Sequence, residues 1–285
     1  MSTAVGFVGL GNMGGALAAN LVGAGLTVVA TDVAGPERAP AGSVWADDVA
    51  EVARRAEVVV LSLPDGAASA SVCDEIATTA DRLATHVVDT STIGVAAAER
   101  IAARLADADM GYVDAPVSGG PAGARDRTLT VMVAGADEAC VAVEPVLAGL
   151  SDRRRRVGER PGMAQALKLA NNFLSATALA ATSEAVAFGL SVGLDLATMV
   201  EVLDQSSGRS SATDDKFPNH VVTGRYASGF ANSLMAKDVR LYLEEVADRD
   251  GAAAVGAVTA EVWQRFAAAE PGADFTRIFP FVAEG

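Results

Sequence analysis

An apolar run, Val5 to Val8, passes straight into Gly9-Leu10-Gly11-Asn12-Met13-Gly14, and a helical pattern takes over at once. A strand that turns on glycines into a helix is the opening of a βαβ unit. Each glycine has a mechanical reason. Gly9 permits the tight turn, Gly11 lets a pyrophosphate approach the backbone, and Gly14 lets the helix pack on the strand. The helix N-terminus then presents unpaired N–H groups and a positive dipole end to phosphates. A glycine-rich turn by itself also occurs for purely structural reasons. Here a second apolar run, Thr27 to Thr31, follows the helix and ends at Asp32. That is close to the spacing of about 20 residues at which an acidic side chain meets the adenosine ribose. The context predicts a dinucleotide site built from Gly9, Leu10, Gly11, Asn12, Met13, Gly14 and Asp32. A carboxylate at Asp32 accepts from a ribose 2′-OH and repels a 2′-phosphate, which favours NAD. Arg38, a little further on, keeps NADP open as the less favoured cofactor.

The first half goes on alternating. Strand patterns at Ala4 to Val8, Thr27 to Thr31, Val58 to Leu61, Val87 to Asp89, Tyr112 to Ala115 and Leu129 to Val133 are for the most part separated by helical stretches. These include Ala16 to Gly23, Asp48 to Arg55 and Val95 to Leu105. Repeated βα units predict an α/β, doubly wound, largely parallel sheet with helices on both faces. Ligands of such sheets bind beyond the carboxyl ends of the strands, where Asp32, Leu63-Pro64 and Ser91-Thr92 fall. From Gly162 onward the periodicity turns helical. It predicts a long interdomain helix from Gly162 to Ser191, a second helix capped by Asp195, and others at Leu234 to Asp248 and Ala254 to Ala268. The expected organisation is a Rossmann domain over 1–161 and an all-α domain over 162–285, a division that suits a chain of 285 residues.

A net charge of −14 argues against nucleic acid as a default partner. The one strong basic run, Arg153 to Arg156, reads as a solvated loop or a domain-edge strand. Cys73 and Cys140 have neither a CxxC partner nor a nearby histidine cluster, which argues against a disulfide framework and a structural zinc site. The N-terminus has no basic n-region, so a cytoplasmic protein without a signal peptide is expected. The apolar stretch Phe173 to Leu194 is interrupted by Thr182, Ser183 and Glu184 and reads as a buried helix rather than a membrane span. The acidic pairs Asp47-Asp48 and Asp214-Asp215 and the isolated His86 and His220 do not make a metal site, and none is expected.

Two segments can carry chemistry. In Gly162-Met163-Ala164-Gln165-Ala166-Leu167-Lys168-Leu169-Ala170-Asn171-Asn172, Lys168 and Asn172 are four apart and share a helix face. In apolar surroundings Lys168 should feel desolvation, which lowers an ammonium pKa and suits general acid/base work. Asn172 can hydrogen-bond a substrate hydroxyl and the lysine. Taken alone, Lys168 also fits a surface lysine on an amphipathic helix, but a double asparagine in an apolar helix needs partners. The second segment is Asp114-Ala115-Pro116-Val117-Ser118-Gly119-Gly120-Pro121. Its N–H groups at Ser118, Gly119 and Gly120 can form a nest for a carboxylate, or the segment is an ordinary turn between strands.

The ordered set GLGNMGGALAANL, DTST, DAPVSGG, KLANN and LMAKDV resembles the β-hydroxyacid dehydrogenase family, from the N-terminus to about Leu243. The resemblance implies a 6-phosphogluconate dehydrogenase-like C-terminal domain and a homodimer or homotetramer. It implies hydride transfer between NAD(P) and a short 3-hydroxy acid. It makes Lys168 the catalytic acid/base, with Asn172 orienting substrate and Ser118, Gly119 and Gly120 binding the substrate carboxylate. Leu63 and Pro64 match the strand-end pair near the cofactor, Thr92 the nicotinamide contact, and Lys237, with Phe230 nearby, the late lysine that closes over it. Ser206 to Arg209 resembles a segment lining the substrate pocket. Ala164 stands where many members of the family have glycine and Arg127 where glycine is usual; Ala164 would narrow the space beside Lys168. An imine reductase on the same scaffold commonly replaces the lysine. A non-catalytic cofactor-binding protein, the other rival, would lack it; Lys168 argues against both.

Overall fold

Short runs of β-branched residues, buried on both faces, make the centre of a parallel sheet: Val5–Val8 (β1), Val28–Thr31 (β2) and Val58–Leu61 (β4) are buried at every position. The computed structural model describes residues 4–284; residues 1–3 and 285, the outer ends of the two expected domains, lie outside the described residues. The chain divides into two compact units, Met1–Lys168 and Leu169–Gly285.

In the first unit β1 leads into α1 (Asn12–Gly23), then β2, a two-residue β3 (Val44–Trp45), α2 (Val49–Arg55), β4 and α3 (Gly66–Thr78). There follow β5 (His86–Asp89), α4 (Val95–Ala106), β6 (Gly111–Asp114), β7 (Val117–Ser118), α5 (Gly120–Arg125), β8 (Thr130–Ala134), α6 (Asp137–Leu150) and β9 (Arg153–Gly158). The strand order is β3-β2-β1-β4-β5-β6-β8-β7, with β9 on the other side of β8. The strands from β3 to β6 are parallel, while β8 runs antiparallel to β6 and β7. Two apolar clusters cover the sheet. One is centred on Phe7, Leu17, Leu21 and Leu147, the other on Leu61, Ile76, Ile101 and Leu105. Because the strands are parallel, the ends of β1, β2, β4, β5 and β6 bring Gly9, Asp32, Leu63, Thr92 and Ala115 to one edge, and the order reverses between β1 and β4.

The basic run proves to be an edge strand. β9 pairs in parallel with β8, Arg154 meets Glu144 at 3.0 Å, and Arg156 meets Asp137 at 2.7 Å. Arginines on an open edge discourage strand addition.

The second unit is helical: most of α7 (Met163–Ser191), then α8 (Leu196–Asp204), a π-helical segment (Ala212–Val221), α9 (Asn232–Ala247), α10 (Ala254–Ala269) and α11 (Ile278–Ala283). Asp195 caps α8 by accepting the Thr198 N–H at 2.9 Å. The core gathers Phe217, Trp263, Phe266 and Phe275, and Trp263 Nε1 donates to the Ala176 carbonyl at 3.2 Å. Helix α7 is less buried than its composition suggests. It is long and apolar enough, by length and composition only, to cross a membrane. One side, with Ala176, Leu179, Ala180 and Val186, belongs to this core. The other side is open: Leu174 is 65% and Phe188 71% exposed, with Ala181 and Ala185 exposed between them.

Candidate active site

The glycine turn is shaped by three different constraints. Gly9 sits at φ +94°, and a Cβ there would meet the Ser62 carbonyl oxygen at 2.4 Å. A Cβ on Gly14 would meet the Gly9 carbonyl oxygen at 1.9 Å, so α1 lies directly on the turn. Over Gly11 a Cβ would meet nothing within 4 Å. Gly11 is also the N-cap of α1 and brings no side-chain oxygen to it. The result is an open cradle at a helix N-terminus, a donor set that fits a pyrophosphate. Asp32, just beyond β2, accepts the Leu10 N–H at 2.5 Å and the Ala34 N–H at 2.7 Å. The acidic residue therefore holds the glycine turn. These residues fit a dinucleotide.

The neighbouring strand ends are joined by polar bonds. After β4 the Leu63 N–H donates to Ser91 Oγ at 2.8 Å, with Pro64 following. Ser91 follows β5 and donates its own N–H to Asp89 at 2.9 Å. Asp89 is wholly buried, and burial holds its carboxyl above the usual range against the opposing bonds from Ser91. Thr92 is the next residue of this loop. At the end of β6, burial pushes the Asp114 carboxyl up to about 7, although N–H groups of Gln165 and Gly162 work to lower it. The Gln165 N–H reaches Asp114 at 3.0 Å.

Ser118 closes β7, and Gly119 and Gly120 follow at φ +133° and +67°. Side chains rarely adopt either conformation, so the turn favours glycine there. Lys168 lies on α7 and is only 8% exposed, which removes the surface-lysine alternative. Asn172 is one helical turn further on, buried, and its Nδ2 donates to Asp238 at 2.6 Å. Asp238 also pairs with Lys237 at 3.1 Å. In the second unit Asp238 thus links two of the expected site residues. Phe230 packs edge-on against Phe275 with centroids 5.5 Å apart. Arg209 faces Asp204 at 3.4 Å and Asp214 at 3.8 Å.

Sequence reasoning did not single out Asp238 or Gln165. Both are buried polar residues whose helix faces carry other polar side chains, Lys168 and Asn172 with Gln165 and Asn232 with Asp238, so no local pattern marks them. The two departures are also explained. Ala164 is fully buried beside Met132 and Ala134, so its methyl fills core. Arg127 sits at φ +56°, the reason glycine suits that position. Its guanidinium donates to the carbonyls of Gly149 at 2.7 Å and Ala148 at 3.0 Å, closing the C-terminus of α6.

Residues 4–158 match the NAD binding domain of 6-phosphogluconate dehydrogenase. Residues 162–282 match the NAD-binding family of NADP-dependent 3-hydroxyisobutyrate dehydrogenase. The chain is 34% identical to 2-(hydroxymethyl)glutarate dehydrogenase of Eubacterium barkeri, over 85% of this chain and 82% of that one. It is also 34% identical to 3-hydroxyisobutyrate dehydrogenase of Pseudomonas aeruginosa, over 97% of each. The solved structure of Mycobacterium tuberculosis 3-hydroxyisobutyrate dehydrogenase with L-serine superposes with a TM-score of 0.90, at 31% identity and 99% coverage of each chain. With the glycine cradle, the buried lysine and these likenesses in place, the chain belongs to the β-hydroxyacid dehydrogenase family, NAD(P)-dependent oxidoreductases of 3-hydroxy acids.

Proposed function

We propose that this protein oxidises a short 3-hydroxy acid of the 3-hydroxyisobutyrate type to its semialdehyde, with NAD preferred over NADP. The observation that carries the reading is Lys168, a lysine withdrawn from water on a helix that also carries Asn172 one turn on. Lys168 takes the hydroxyl proton during oxidation and returns it during reduction. Asn172, its amide oriented by Asp238, holds the hydroxyl. The turn at Ser118, Gly119 and Gly120 binds the carboxylate through backbone N–H groups. Gly9, Leu10, Gly11, Asn12, Met13 and Gly14 cradle the pyrophosphate. Asp32 takes the ribose, and Leu63, Pro64, Thr92, Phe230 and Lys237 complete the cofactor site. When bound, the nicotinamide supplies the hydride acceptor; the chain's own work is positioning and electrostatics.

In this reading residues 1–161 form the cofactor domain and 162–285 the substrate and dimerisation domain. The open apolar side of α7, from Leu174 through Ala181 and Ala185 to Phe188, supports a homodimer or homotetramer. Two free, buried cysteines suit the cytoplasm. The deciding experiment follows absorbance at the NADH band with NAD⁺ or NADP⁺ against 3-hydroxyisobutyrate, 3-hydroxypropionate and glycerate, with semialdehydes in reverse. Turnover of one acid that disappears in Lys168→Ala supports the reading. Silence across the panel, with NAD still bound, rejects it.

A further inference from the structure

Gln165 has no exposed surface, and both ends of its side-chain amide are engaged. Its Oε1 accepts the N–H of Ile93 at 2.9 Å and of Gly94 at 3.3 Å. Its Nε2 donates to the Ser91 carbonyl at 3.1 Å. Its backbone N–H donates to Asp114 at 3.0 Å. One residue in the first turn of α7 therefore clasps the loop 91–94 by its side chain and the end of β6 by its backbone. Ser91 extends the clasp to β4 through the Leu63 N–H and to β5 through Asp89.

The arrangement is specific in a way that packing is not. A buried amide costs about 1–3 kcal/mol for each group left unpaired, and an apolar residue of similar volume avoids that cost. An amide is retained here where it can satisfy three backbone groups of a single loop. That loop contains Thr92, and Gln165 stands three residues before Lys168, on the same side of α7. The first turn of α7 and loop 91–94 are thus held together by the same side chain.

We propose that Gln165 is a positioning residue: its amide fixes the placement of Lys168 relative to the loop that carries Thr92. The proposal rests on Lys168 being the acid/base. Misplacement by about 1 Å in such a constellation can cost about 10²-fold in rate.

A double-mutant cycle tests it, with Gln165→Leu, Lys168→Ala and the pair measured in the full-length protein. Gln165→Leu alone should lower kcat by about 10- to 100-fold, with the hydroxy acid KM and the NADH affinity by fluorescence within about threefold. Placed on Lys168→Ala, the same substitution should cost less than about twofold, because the group it positions is gone. Equal losses in both backgrounds mean general structural damage and overturn the proposal, as does normal kcat in folded Gln165→Leu. If Gln165→Leu does not fold, Gln165→Glu carries the cycle, since it keeps the acceptor for Ile93 and Gly94 and loses the donor to Ser91. Near-normal turnover of Lys168→Ala removes the role of Lys168 and this proposal with it; additivity removes this proposal alone.

Discussion

Asp238 holds Asn172 through a 2.6 Å hydrogen bond and Lys237 through a 3.1 Å ion pair, so one buried carboxylate sets two side chains that differ in assigned role. Asp238→Asn keeps the shape and removes the charge. Stability should fall by about 1–3 kcal/mol, the cost of leaving a buried polar group badly partnered. The KM for NAD and kcat should both worsen, because Lys237 and Asn172 lose their anchor. Urea melts and initial rates read the two effects; a variant with normal kinetics would separate Asp238 from the site.

Lys168→Ala should reduce kcat by about 10² to 10⁴, the usual share of a general acid/base. NAD affinity should change little, since in the proposed role the lysine acts on the hydroxyl and not on the dinucleotide. Single-turnover rates with bound NAD measure this directly, and near-normal rates would refute the assignment.

Asp32→Ala has two expected effects, because Asp32 accepts the Leu10 N–H and, in the proposed role, excludes a 2′-phosphate. The preference for NAD over NADP should relax by about tenfold or more, equivalent to about 1.4 kcal/mol. The KM for NAD should rise as the glycine turn loosens. An unchanged NAD/NADP ratio of kcat/KM would show that discrimination lies elsewhere.

The Asp114 carboxyl, raised from 3.8 to about 7, keeps its proton in the folded state over a pH window where the unfolded chain has lost it. The folded state binds more protons there, so the contribution of Asp114 to stability is fully present at low pH and is lost as pH rises from about 4 to about 7. Asp89 is shifted the same way and adds to the trend. In Asp114→Asn that contribution is gone, so the Tm of the wild type relative to the variant should fall across this window. Calorimetry at a series of pH values tests it; parallel curves for the two proteins would contradict the shift.

Phe188→Glu places a charge on the open side of α7, where Phe188 is 71% exposed. Light scattering should show a smaller assembly than the wild type, with the helical content of the monomer retained. An unchanged mass would move the interface off this helix.

Much of this was legible beforehand. The strands β1, β2 and β4 are short apolar runs, helix α4 carries a clean amphipathic period, and Asp195 marks its helix by capping chemistry. The ordered motifs pointed to Lys168 and Asn172. The two-residue strands β3 and β7 are too short to leave a period, and the π-helical segment has no local signature distinct from an α-helix. The run Arg153 to Arg156 was open between loop and strand because edge strands need no apolar face. Asp238 and Gln165 were missed for a different reason: their partners lie 66 and up to 74 residues away, and no local pattern shows that a polar side chain has been buried.

The three glycines of the cradle answer to different masters. Gly9 and Gly14 are fixed by the chain's own backbone, since a Cβ there would come within 2.4 Å and 1.9 Å of carbonyl oxygens, whereas among the described residues a Cβ on Gly11 would meet nothing within 4 Å. In a library screened only for soluble expression, Gly9 and Gly14 should remain invariant while Gly11 drifts to alanine or serine. In a library screened for growth on the substrate, all three should be retained. The difference between the two screens at position 11 measures the cofactor's own claim on the sequence.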